Sequence, residues 1–247
     1  MKYVRQKIRW LLSIMPYPVR RIISKIPLPR RSLCIILKSQ IEIEKCSRDL
    51  LLRGFVSHAH KCKNWDLAHI IPAIKNGNFL DLGSCESYIL KNLSIKGILG
   101  ELHGIDLRNP DVVVQGVKYS VGDLMNTRLQ TNYFKNITCL SVIEHDVDLD
   151  KFLREASRLL QDKGKLFVTF DYWEPKITPS LKLYDLKWQI LDKKTCEDLI
   201  AKAEHYNLYP VQEMDWTIGE AVIKDGYYSP DPQLSYTFGL LTFEKRF

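Results

Sequence analysis

The feature that most constrains this chain is the run Asn78-Phe-Leu-Asp-Leu-Gly-Ser-Cys-Glu-Ser87, behind which strand-like and helix-like segments alternate toward the C-terminus. A short apolar strand that ends in Asp81-Leu82-Gly83 can turn sharply. Glycine has no Cβ, so Gly83 lets the backbone take φ > 0 and brings N–H groups up to a ligand where the next helix begins.

Hydrophobic period sets the rest of the architecture. Period-2 or continuous apolar runs predict strands at residues 79–83, 102–107, 117–121, 136–142 and 165–171, with two late strands at 208–215 and 236–245. Helices are predicted from Glu86 to Ser94, from an Asp148 or Asp150 cap through Leu160 to a stop at Gly164, and from Thr195 to Tyr206. Strands alternating with helices imply an α/β, Rossmann-like, doubly wound and mostly parallel sheet of seven strands. Ligands of such sheets sit beyond the carboxyl ends of the strands.

The 247 residues suit one such domain with an appendage. Residues 1–40 hold ten Lys/Arg and no acid within a net charge of +7, so the basicity belongs to an extension and the remainder is slightly acidic. Val4, Ile8, Leu11, Leu12 and Met15 share one helical face, with Lys2, Arg5 and Arg9 opposite. Such a basic amphipathic segment suits an anionic membrane surface, and it equally suits a solvated arm on its own domain. No run approaches the roughly 18–20 apolar residues of a membrane-spanning helix. A cytoplasmic protein is the expectation, with residues 1–40 either a foot on the inner face of a membrane or a solvated arm. Three segments follow: the extension 1–40, a cap or linker 41–76 with a polar linker-like patch at Glu42 to Arg48, and the main domain 77–247.

Six scattered cysteines without a C-x-x-C pair read as reduced, packed thiols. His58, His60 and Cys62 alternate near His69, but the spacing matches no common zinc framework, so no metal is expected and the segment reads as a cap over the ligand site.

Asp81, Asp106 and Asp123 fall at the ends of consecutive predicted strands, whose ends line one crevice. A carboxylate after the second strand can accept from both hydroxyls of a ribose, and one after the third from an exocyclic amine. Together they describe an adenosine site, although Asp is also a common turn residue. A dinucleotide fingerprint is absent, since no glycine follows Gly83 before Gly97.

With these residues in view, positions 78–171 resemble the core of a class I S-adenosylmethionine-dependent methyltransferase. Asp81-Leu-Gly83 is similar to the start of that family's glycine-rich motif, Gly104-Ile-Asp106 to its ribose acid, and Gly122-Asp123 to its adenine-side acid. Ser141-Val-Ile-Glu-His145 resembles the Val-Leu-Glu-His tetrad of its small-molecule members. The resemblance implies a final antiparallel strand and S-adenosyl-L-methionine as cofactor, held by Asp81, Gly83, Ser84, Asp106, Asp123 and Ser141. Cys85 and Ser87 stand where the family usually has glycines, and Asn136 where it often has Asp.

Transfer from a sulfonium needs positioning above all, and a base only if the acceptor loses a proton. Glu144 and His145 are the catalytic candidates, with His58 and His60 from the cap as further bases. Glu144 and His145 are equally suited to a structural role. Tyr172, Trp173, Tyr184 and Trp188 either line the acceptor pocket or roof the core. The implied acceptor is a small molecule or glycan. A non-catalytic interaction protein on the same fold is the alternative. A nucleic-acid enzyme recruited by the arm is disfavoured, since no Asn/Asp-Pro-Pro-aromatic tetrad follows the fourth strand.

Overall fold

Apolar runs too short for helices form the centre of the molecule, and the helices between them cover both faces. The computed structural model describes residues 31–110, 112–224 and 234–247. The amphipathic helix expected over residues 3–15 lies outside them. The strands are β1 (Ile35–Ile36), β2 (Phe79–Leu82), β3 (Leu102–Asp106), β4 (Val117–Val121), β5 (Phe134–Leu140), β6 (Leu160–Tyr172), β7 (Lys182–Leu183), β8 (Leu186–Lys187), β9 (Leu208–Pro210) and β10 (Thr237–Lys245). The helices are α1 (Gln40–Leu52), α2 (Asn64–Ile70), α3 (Tyr88–Lys96), α4 (Leu149–Leu159) and α5 (Lys193–His205).

The main sheet runs β1-β10-β6-β5-β2-β3-β4, with β9 also on β10, while β7 and β8 form a separate hairpin. Strands β2 to β6 pair in parallel and β10 lies antiparallel to β6. The predicted doubly wound sheet and its antiparallel closing strand are therefore present. Chain order reverses between β2 and β5: β3 and β4 extend to one side, and β5 returns to the other. That reversal opens a crevice at the carboxyl ends of β2 and β5.

Alternation along the strands feeds two cores. Leu80, Leu82, Leu166 and Val168 pack with Phe152 and Ala156 of α4 and Leu199 of α5 on one face. Phe79, Phe167 and Leu240 pack with Ile43 of α1, Trp65 of α2 and Leu90 of α3 on the other. Fully burying each such side chain contributes roughly 1.5–3 kcal/mol. All six cysteines are free and buried.

Three local expectations are corrected. The polar patch Glu42 to Arg48 is helical: α1 buries Ile43, Cys46 and Leu50 at helical spacing, and the Ser39 hydroxyl accepts from Glu42 N–H to cap it. The surrounding charges are the solvated face of that helix. Helix α4 stops at Leu159 rather than running on toward Gly164, because Leu160 already pairs with Phe134 of β5. The late strand predicted over 208–215 is regular only as β9; beyond it Val211 N–H donates to the Thr242 carbonyl (3.0 Å) and Asp215 turns to bridge Ile35 of β1.

The cap is tied to the domain from both ends. Ile35 and Ile36 pair with Leu240 and Gly239. Arg31 pairs with Asp49, and Lys38 Nζ lies 2.7 Å from Asp215 Oδ2, so two of the basic residues assigned to the extension are bound to acids of the fold. Asn136 is buried, and its amide joins both backbone groups of Lys75 (3.2 and 2.8 Å), a pairing Asp could not complete because it has no N–H to donate.

Candidate functional site

The turn after β2 is built around glycine for two reasons. Gly83 has φ +80°, and a Cβ there would fall 2.4 Å from Val142 Cγ2. Its N–H and that of Ser84 both donate to the Ile105 carbonyl of β3 (2.8 and 3.1 Å). Ser84 is buried with its Oγ against Gly104, where a Cβ would come within 2.6 Å. Ser87 supplies the cap of α3, its Oγ accepting from Leu90 N–H at 3.1 Å. A serine at that position thus starts the helix whose N-terminus faces the crevice.

The three strand-end acids differ in environment. Asp81 is buried, its Oδ1 accepting from the Thr138 hydroxyl at 2.6 Å. Burial pushes its carboxyl up to about 6, against hydrogen bonds from Ser87 and Thr138 that favour the anion. Asp106 Oδ2 accepts from Cys85 N–H (3.0 Å) and Oδ1 from Arg108 N–H (3.3 Å), which pins the glycine turn to the end of β3. Asp123 is exposed just beyond β4, its Oδ1 accepting from Met125 N–H at 2.8 Å.

A cavity of about 230 Å³ opens at the switch point, with Asp81, Gly83, Ser87 and Tyr88 on the strand side and His58, Lys63 and Asp66 from the cap. Of the residues named from the sequence as cofactor ligands, Asp81 and Gly83 form its wall. Asp106 and Asp123 stand at neighbouring strand ends, outside that wall.

Sequence reasoning missed the cap's charged contribution. Lys63 Nζ donates to the Ser141 hydroxyl, lies 3.9 Å from Asp66 Oδ2 and sits 3.7 Å from the centroid of the Phe238 ring. Ser141, just past the end of β5, takes φ +55°, and its N–H donates to Thr169 O and Oγ1 of β6. Burial alone would lower the Lys63 ammonium, but the charges of Asp66 and Asp171 above all hold it above its ordinary value. Asp171 Oδ2 accepts from Trp188 Nε1 at 2.8 Å, and Asp66 Oδ2 from Thr169 Oγ1 at 3.4 Å. Burial pushes both acids up to about 6.

Glu144 is only 1 % exposed, and neither carboxyl oxygen has a hydrogen-bond partner. Burial, then the negative charge of Asp171, raises it well above the usual carboxylate range. His145 follows with its Nδ1 buried and unpartnered and its ring 5.7 Å from that of Tyr184, edge to face. Burial and the Lys63 charge lower His145 to about 4, and burial, Lys63 and His60 do the same to His58. Both imidazoles are therefore neutral at pH 7, and weaker bases than a free imidazole.

The four aromatic candidates divide. Tyr172 and Trp188 are buried in the core and Trp173 is half-buried against it, whereas Tyr184, 80 % exposed, projects from the β7–β8 turn onto the cavity. His58, His60, Cys62 and His69 do not gather: the His69 ring lies 2.8 Å from the Trp65 carbonyl, and no group of three potential metal ligands occurs among the described residues.

Residues 80–168 match the family model described as a methyltransferase domain. Among solved structures, the chain is similar to phosphoethanolamine N-methyltransferase 2 of Haemonchus contortus, solved with S-adenosyl-L-methionine (TM-score 0.52, 14 % identity, 70 % of this chain). That match spans 50 % of the nematode enzyme's own length. It is also similar to S-adenosylmethionine-dependent methyltransferases of Methanosarcina mazei (TM-score 0.51, 12 % identity, 72 % of this chain and 97 % of the other) and Mesorhizobium loti (0.51, 12 %, 74 % and 98 %). At these identities the structural matches speak for the fold.

Proposed function

We propose that this chain, which carries a methyltransferase domain of the class I fold, is an S-adenosylmethionine-dependent methyltransferase acting on a small-molecule or glycan-type acceptor. The observation that carries the reading is the Asp81–Gly83 turn at the switch point. There a buried carboxyl faces a cavity beside a cradle that any Cβ would fill.

The residues present fit that cofactor. Asp81 would take the methionine amino group, whose positive charge offsets the desolvation of the carboxylate. Gly83 and Ser84 would present backbone to the same end. Asp106 already accepts two backbone N–H groups, and a carboxylate offers about four lone-pair sites, so capacity remains for both ribose hydroxyls. Asp123, on the next strand, suits the adenine amine. When bound, the cofactor supplies a methyl group already activated on a sulfonium.

This chain's own residues then position the acceptor and receive its proton. Tyr184 offers an exposed ring face at the cavity mouth, and the neutral imidazoles of His58 and His145 can accept from a hydroxyl or an amine.

The test supplies methyl-labelled S-adenosylmethionine and fractionated cell extract to the full chain. Label is expected in the low-molecular-mass or glycan fraction, reduced at least about 100-fold by His145→Ala if that ring is the base. Label confined to nucleic acid would contradict the acceptor class.

A further inference from the structure

Glu144 is buried, carries two unpartnered carboxyl oxygens and belongs to a charged set of which Lys63 and Asp66 line the cavity. The set contains three carboxyl groups, on Asp66 of the cap, Glu144 beyond β5 and Asp171 of β6, against one ammonium, on Lys63. Asp66 has Lys63 and the Thr169 hydroxyl, and Asp171 has the Trp188 indole. Glu144 has no such donor. With all three ionised, two negative charges would lie uncompensated away from water, so the group with least support for its anion keeps a proton.

The other titratable groups around it add no charge. Cys62, Cys139 and Tyr236 are all raised by burial, and His145 is lowered, so each is neutral at pH 7. A carboxyl left unsatisfied in either protonation state is costly to keep, which points to a role in the loaded site.

We propose that Glu144 releases its proton when a cation enters the adjoining cavity, so that the site distinguishes S-adenosylmethionine from S-adenosylhomocysteine by their difference of one positive charge. Lys63 and Asp66 belong both to the cavity wall and to the buried set, so a charge placed in the cavity acts on Glu144 across them.

The inference rests on the cofactor reading above, and one experiment separates the two. Full-length protein is titrated calorimetrically with S-adenosylmethionine and with S-adenosylhomocysteine, each in phosphate and in Tris at pH 7, and the buffer dependence of the heat gives protons released. Both ligands carry the amino group that meets Asp81, so any proton from Asp81 cancels between them. About one more proton is expected to leave with S-adenosylmethionine than with S-adenosylhomocysteine. The isosteric Glu144→Gln should bind both ligands and lose that difference. Equal proton counts for the two ligands in the wild type overturn the proposal even if the variant does not fold, and so does a difference that survives in Glu144→Gln. Absence of binding by both ligands overturns the cofactor reading itself, and the proposal with it.

Discussion

Asp81 is held by the fold in a place that disfavours its anion. Its carboxyl titrates at about 6, above the roughly 3.9 of an unfolded chain, so between those values the folded state binds more protons and stability falls as pH rises. Replacing it with Asn keeps an oxygen for the Thr138 hydroxyl and removes that penalty. The unfolding free energy of Asp81→Asn, relative to wild type, is therefore expected to rise by about 2 kcal/mol from pH 4 to pH 7 in urea titrations. A difference that does not change with pH would contradict the assignment. The imidazoles of His58, His69 and His145, lowered by burial to about 4, act in the opposite direction over the same window. They are common to both proteins and cancel in the comparison. Asp81 and Gly83 were legible in the sequence because an acid and a glycine at a strand end have few cheap alternatives. Lys63 was not: its site is assembled from a cap and strand ends, with Asp66 and Thr169 separated by 103 positions, and no local period reports such a meeting.

At the level of elements, the departure of this chain from a glycine-rich turn has a local cause. Ser87 begins α3, and its hydroxyl occupies an otherwise orphaned N–H of the first turn. Ser87→Ala should lower stability by about 1 kcal/mol and Ser87→Gly by only a few tenths, measured by urea unfolding. Equal losses would show that the hydroxyl does not cap. The amphipathic helix α4 and its Asp148 cap were readable from the apolar stripe and the cap residue alone. By contrast, α1 is a helix whose polar face dominates its composition, so Glu42 to Arg48 read as a linker. Its stripe of Ile43, Cys46 and Leu50 was the available signal. Strand β1 is two residues long and exists because β10 offers it an edge, which local sequence does not encode.

Across the whole molecule, the alternation of strands and helices was enough to foresee a doubly wound sheet with its ligand site at the carboxyl ends. The closure of that site by residues 58–66 follows instead from tertiary contacts, above all the contact of Lys63 with Ser141 and its proximity to Asp66. The switch point between β2 and β5 brings the glycine turn, the acid of β3 and the Ser141–His145 segment to one edge, and the account depends on that edge holding an adenosyl cofactor. Equilibrium dialysis of labelled S-adenosylmethionine against wild type and Asp106→Ala, with circular dichroism confirming an unchanged fold, tests this most directly. The account predicts saturable binding by the wild type and a loss of about 100-fold in the variant, the size expected when two hydrogen bonds to a charged group are removed. Binding of equal strength in Asp106→Ala would contradict it.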